Sequence, residues 1–321
     1  MFVYNSLIQP YFRLPDDPFL IRNLATPRYE KNTGSYRFLA HSRKALRLAI
    51  NLAQKTKGEV TLYHIHRPVE STFIATPEER KTYNTRQRKN AQKRLQRLKT
   101  KVADALAPVT INTLVGRSPL QEAVLSFADE NGIDLIVMGT QGAGGLRKVV
   151  IGSAASRIVS ESPVPVLLVP EKFDWKVPES IVFATNYALS EINALQLAVH
   201  IAQLYETRLT VVHLLATTSA GNAQPKELAA FESYTNRLQE IFSPFPIGSR
   251  SIQTRSVKEA MENLHHDIPY DILVMVRRDK TFLQRLFLQS FTKEMCYVTK
   301  FPLLIVPAGW QGAVNPDDQA A

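Results

Sequence analysis

The stretch Ala45-Leu46-Arg47-Leu48-Ala49-Ile50-Asn51-Leu52-Ala53-Gln54, running on to Val60-Thr61-Leu62-Tyr63-His64, decides how this chain must be read. Its outline returns as Ala194-Leu195-Gln196-Leu197-Ala198-Val199-His200-Ile201-Ala202-Gln203, running on to Leu209-Thr210-Val211-Val212-His213, at a constant offset of 149 residues. Farther on, Asp134-Leu135-Ile136-Val137-Met138 matches Asp271-Ile272-Leu273-Val274-Met275 at an offset of 137. The run Pro165-Val166-Leu167-Leu168-Val169-Pro170 matches Pro302-Leu303-Leu304-Ile305-Val306-Pro307 at the same offset. Repeats of this length are whole domains, and 321 residues suit two of them.

Each copy alternates helix and strand. In the first, residues 44–57 have helical apolar spacing and 59–66 read as a strand. A long helix, 77–107, carries its apolar stripe at Ala91, Leu95, Leu98, Val102 and Leu106. A strand near 109–115, a helix near 119–131, a strand at 135–138, a helix from 152 to 160 and a strand at 164–169 complete it. The second copy repeats the order with strands at 181–185, 208–214, 251–255, 271–276 and 302–306, and with helices at 190–205, 225–242 and 257–266. Strands apolar on both faces and separated by helices predict an α/β fold of two tandem, doubly wound parallel sheets. The expected divisions are an N-terminal extension (1–35), a first domain (36–171), a linker (172–179), a second domain (180–308) and a tail (309–321). The first strand of the first copy is not legible. Subtracting 149 places Arg37 at the position that follows the strand, and the surrounding Thr33-Gly34-Ser35-Tyr36 has no strand character, leaving Tyr36–Ala40 or Phe2–Ile8 as alternatives. The final strands of the copies are apolar edges that need cover, and antiparallel pairing within the chain predicts a pseudo-twofold monomer.

Composition is that of a globular protein, with 45% apolar and 21% charged residues. The one cysteine, Cys296, excludes an internal disulfide framework and a cysteine-based metal cluster. No apolar run reaches the roughly 18 residues of a membrane helix, and the N-terminus makes a poor signal peptide, so the expected compartment is cytoplasmic. The net charge of +10 is concentrated: between Thr76 and Lys101 stand ten basic residues against Glu78 and Glu79. That window alone supplies +8.

After the strand 135–138 comes Gly139-Thr140-Gln141-Gly142-Ala143-Gly144-Gly145-Leu146-Arg147-Lys148-Val149-Val150-Ile151-Gly152-Ser153-Ala154. Glycines let backbone N–H groups approach an anion, and a helix opening at Gly152-Ser153 adds its positive end and a hydroxyl. The same composition also suits a plain strand-to-helix connection. The spacing Gly139-x2-Gly142-x9-Gly152-Ser153, with its flanking strands and the duplication, resembles the ATP-binding signature of the universal stress protein family over about residues 37 to 308. The resemblance implies a strand order of 3-2-1-4-5 in each domain and an ATP site, with or without Mg2+, in which Gly139, Gly142, Gly152, Ser153 and Ala154 hold the phosphates. It implies a nucleotide-binding stress-response module acting on an unknown protein partner. Two other readings stay open: an ATP-hydrolysing or nucleotidyl-transferring enzyme, and an interaction protein that has lost nucleotide binding.

The departures from that pattern are specific. The family's first-strand aspartate falls on Arg37 in the first copy and on Asn186 in the second. Gly139, Gly142 and Gly152 correspond to Val276, Asp279 and Gln289, with only Ser290 retained. The expectation is at most one nucleotide site per chain. The sequence holds no Gly-x-Ser-x-Gly elbow or His-Glu-x-x-His pair, which argues against an enzyme but leaves weak ATP hydrolysis open. His64, His66 and His213 read as core or solvated histidines, and no metal site is expected. The basic helix 77–101 reads first as a solvated face and second as a nucleic-acid surface.

Overall fold

The computed structural model describes residues 31–35, 42–66, 68, 76–103, 109–117, 119–140, 153–170, 173–187, 191–216, 225–254, 264–278 and 301–312. The first half contributes strands β1 (Lys31–Ser35), β2 (Glu59–His66), β3 (Thr110–Arg117), β4 (Leu135–Gly139) and β5 (Val166–Val169). Its helices are α1 (Ser42–Thr56), α2 (Pro77–Ala103), α3 (Leu120–Glu130) and α4 (Ser153–Glu161). The second half contributes β6 (Ser180–Thr185), β7 (Arg208–Ala216), β8 (Ile247–Thr254), β9 (Ile272–Arg277) and β10 (Leu303–Pro307), with α5 (Ile192–Tyr205) and α6 (Pro225–Phe242). All ten strands form one sheet in the order β3-β2-β1-β4-β5-β10-β9-β6-β7-β8. Read from its outer edge toward the centre, each half has the expected order 3-2-1-4-5. The other neighbours are parallel, and only β5 and β10 run antiparallel, with Leu167 opposite Leu304. The expected pairing of the two apolar edges is therefore present.

Two-residue alternation divides the core into two layers, one on each side of the sheet. Leu167, Val274 and Leu304 point with Val60 and Leu62 toward α1, α2, α5 and α6. Val166, Leu168, Leu273 and Ile305 point toward α3 and α4. Both layers run through the two halves without interruption. The repeat extends to the helix ends. Lys57 and Glu206 both take left-handed backbone conformations, and the next amides, Gly58 N–H and Thr207 N–H, donate to Ala53 O and Ala202 O.

The first strand differs from expectation. It is Lys31–Ser35, ahead of residue 36, whereas Tyr36–Ala40 and Phe2–Ile8 lie outside the described residues. Gly34 pairs with Leu62 and Val137, as Phe183 pairs with Val211 and Val274, so the offset of 149 holds through this strand. A strand between two parallel neighbours has its backbone groups satisfied on both sides, and that pairing forms it despite a composition that does not favour strands. β8 likewise starts at Ile247, four residues before the expected 251, because its pairing with β7 continues through the polar Gly248-Ser249-Arg250. As an outer strand it presents those residues to solvent.

The connection 173–179 is packed and not loose. Phe173 is buried, and Trp175 stands between it and Tyr205. The Tyr205 hydroxyl donates to Asn51 Oδ1 at 2.7 Å, joining α5 to α1, and Lys55 lies over the Tyr205 ring. Asp271 Oδ2 accepts from Glu179 N–H and Ser180 N–H while Oδ1 pairs with Lys176 at 2.6 Å, which fixes the start of β6.

Candidate functional site

In a doubly wound sheet the connections leave in opposite directions at one point, and a crevice opens there above the carboxyl ends of the strands. In the first half that point lies between β1 and β4, where Ser35 is level with Met138. β4 ends in half-buried Gly139. Thr140 follows it into the interior, and its N–H donates to Val169 O at 3.1 Å. The Thr140 hydroxyl is sealed from solvent with no partner among the described residues. α4 buries Ala155, Ile158 and Val159 against the sheet, so its amphipathic face fixes its position. Returning antiparallel to β4, it presents its amide end at the same carboxyl edge. Of the residues expected to hold phosphates, Gly139, Ser153 and Ala154 are thus brought to one edge of the sheet. Gly142, Gly152 and Arg37 lie outside the described residues.

The far end of α4 is held by the other half. Arg277, the last residue of β9, donates through Nη1 to Val159 O at 2.6 Å and through Nη2 to Ser162 O at 2.8 Å. A cation there satisfies terminal carbonyls and complements the helix dipole. Arg277→Met should cost about 2 kcal/mol of stability, read by urea denaturation, because two charge-assisted bonds are lost. An unchanged midpoint would contradict this role.

At the equivalent point of the second half, between β6 and β9, side chains of the protein itself interlock. Glu191, almost wholly buried, accepts from Thr185 Oγ1 at 2.6 Å and from Arg278 Nη2 at 2.7 Å. Thr185 Oγ1 in turn accepts from Tyr187 N–H at 2.8 Å, across a reversal in which Tyr187 takes a positive φ of 52°. His213 Nδ1 lies 2.9 Å from Thr185 O, so the proton of the neutral ring sits on Nδ1. The same ring lies 4.7 Å from that of Tyr187 and 5.5 Å from that of Phe231. Burial holds the Glu191 carboxyl above the usual carboxylate range, opposed by its bonds to Thr185 and Arg278. His213 is accordingly a core histidine, as the sequence suggests. Asn186, at the position of the family's aspartate, is exposed beside this cluster. Sequence reasoning passes over Glu191 and Arg278. They stand 87 residues apart, and no spacing rule joins them.

Other candidates resolve simply. His64 and His66 are half-buried at the end of β2, and Cys296 lies outside the described residues. Among the described residues no group of three or more His, Cys, Asp or Glu side chains is placed to hold a metal, and no helix is long and apolar enough to cross a membrane.

Comparison with known proteins agrees with the duplication. Residues 38–170 and 179–307 each match the model of the universal stress protein family. Universal stress protein YxiE of Bacillus subtilis (strain 168) is 29% identical over 135 residues, 40% of this chain and 90% of that protein. Universal stress protein MJ0531 of Methanocaldococcus jannaschii is 32% identical over 130 residues, 40% of this chain and 74% of its own. Among solved structures, a universal stress protein of Archaeoglobus fulgidus DSM 4304 superposes with a TM-score of 0.69 over 87% of this chain and 99% of its own, at 12% identity. Matched once on each half, and built from the same strand order twice over, this chain belongs to the universal stress protein family as a tandem two-domain member.

Proposed function

We propose that the protein is a regulatory module that binds one ATP per chain at the β1/β4 crevice of its first half. The observation carrying this reading is that the two ends of the Gly-rich connection, Gly139 and the start of α4, stand at the carboxyl edge of the switch point, and the second half lacks the equivalent glycines in its sequence. Gly139, Gly142, Gly152, Ser153 and Ala154 are the residues proposed to hold the phosphates. Backbone amides of the Gly-rich connection and the first turn of α4 supply neutral donors for the anion. The Thr140 hydroxyl at the root of the connection, without a partner among the described residues, suits a polar occupant. In the second half, the buried Glu191 carboxyl lies at the equivalent switch point with the rings of Tyr187 and His213 in contact nearby, and a carboxylate there argues against a second anion site.

We infer a regulatory rather than catalytic role. Among the described residues, the carboxyl ends of β1 and β4 carry Ser35, Gly139 and Thr140, and none of these is a carboxylate or imidazole suited to general-base work. Calorimetric titration of the full chain with ATP should give no more than one site. Affinity should be modest, because Arg37 replaces the family's aspartate. Gly152→Val should abolish the heat by placing a side chain where backbone and phosphate must meet. Two equivalent sites, or steady ATP turnover lost in Ser153→Ala, would overturn the reading.

A further inference from the structure

The strongest surface feature lies away from the crevice, on α2. Its inner side is set by Ala91 and Leu95, both buried, with Leu98 partly buried beside them against β2 and β3. At 100° per residue, Arg86, Lys89, Lys93 and Arg97 fall on the opposite side, Lys101 continues their row on its flank, and all five are exposed. They form a row about 22 Å long at a rise of 1.5 Å per residue. No acidic residue interrupts the helix between Arg80 and Lys101. Exposed Asn90, Gln92 and Gln96 stand between the cations, adding neutral hydrogen-bond donors.

The second half provides an internal control. α6 occupies the same place, packed on β7 and β8 through buried Phe231 and Leu238. It carries Lys226 and Arg237 against Glu227, Glu232 and Glu240. The fold therefore accommodates a slightly acidic helix at this position, and packing there does not itself call for a cationic row.

We propose that the outer face of α2 binds the phosphate backbone of double-stranded DNA without reading its sequence. Charge complementarity selects a polyanion. Protein interfaces rely on apolar or aromatic anchors, and bilayer insertion needs apolar side chains at the waterline. On α2 the apolar residues Ala91, Leu95 and Leu98 are turned inward, and among its described side chains Tyr83 is the single exposed large hydrophobic residue. A lone tyrosine also makes a poor stacking platform for a single strand. A duplex needs cations and hydrogen-bond donors along its backbone, and counterion release provides the affinity.

The test is fluorescence anisotropy with the full chain and labelled 20-base-pair DNA duplexes of two unrelated sequences. Matched arms contain a single strand, poly-glutamate, and vesicles of phosphatidylserine and phosphatidylcholine. Both duplexes should bind alike at 50 mM salt, with log K falling against log salt at a slope of about −4. Changing Arg86, Lys89, Lys93 and Arg97 together to Gln should weaken binding by about a hundredfold or more and bring the slope to about −1. These side chains are exposed, so circular dichroism should be unchanged. A control that removes the same charge elsewhere, Lys57, Arg208, Arg237 and Arg250 to Gln, should bind like the parent. No binding at 50 mM salt, equal loss in the control, or tighter binding to the single strand, the polyglutamate or the vesicles would each overturn the proposal.

Discussion

Leu167→Asp should split the central sheet and drive the protein to aggregate. Leu167 is 3% exposed and sits midway along β5, between Val137 on β4 and Leu304 on β10. An aspartate there loses a buried Leu side chain, about 2–5 kcal/mol by large-to-small precedent. It also buries a carboxylate beside apolar neighbours, which costs several kcal/mol more unless the group takes up a proton. Together these match the whole stability of an ordinary domain, about 5–15 kcal/mol. The least costly escape is to separate β5 from β10, which exposes an apolar edge on each half and invites intermolecular pairing. Size-exclusion chromatography should show aggregates, and the Tm should fall by well over 10 °C. Leu167→Met keeps the volume and should cost less than about 1.5 kcal/mol. A Leu167→Asp variant with parental elution volume and Tm would refute the view that this seam holds the two halves together.

The second large effect concerns acid. His200 on α5 has its Nε2 buried without a partner among the described residues, and burial pushes its pKa down from 6.5 to about 4. The unfolded chain therefore binds a proton that the folded chain refuses between those values. Stability from this group is complete above pH 6.5 and is lost progressively as the pH falls toward 4, about 3 kcal/mol in all. Glu191 slopes the other way, since its raised carboxyl keeps its proton longer in the folded state, so its contribution grows as the pH falls. The two are separated by comparing the parent with His200→Gln, which cannot charge. Urea denaturation of the parent should lose stability between pH 6.5 and 4 in excess of the variant. Parallel profiles for the two proteins would show that His200 is not the acid-sensitive group.

How far the sequence reaches is clearest at β1. Subtracting the repeat offset from β6 leads to residues 31–36, the correct segment, yet Lys31-Asn32-Thr33-Gly34-Ser35 carries none of the β-branched and aromatic pattern by which strands are recognised. Periodicity reports side-chain burial, whereas this strand is recorded in backbone pairing with β2 and β4. The Gly-rich connection is legible as a motif, and the place of its two ends, Gly139 and Ser153, at the switch point follows from the strand order. The second-half cluster is not legible, because Thr185, Glu191, His213 and Arg278 are ordinary residues until the carboxyl ends of β6, β7 and β9 bring them together.

By itself the sequence determined that there are two copies of one α/β unit, which strands are buried on both faces, where the charge lies, and that the apolar runs 165–170 and 302–307 need cover. These are properties of periodicity and composition, which a linear chain carries openly. Only the tertiary structure decided that Arg277 holds the end of α4, 118 residues away, and that Tyr205 bonds to Asn51 across the halves. It also decided that Glu191 is buried between Thr185 and Arg278. Such contacts join residues whose separation along the chain carries no signal. They form because a continuous ten-stranded sheet brings both halves to one seam, where buried polar groups must find partners and the partners at hand belong to the other half or to a distant strand.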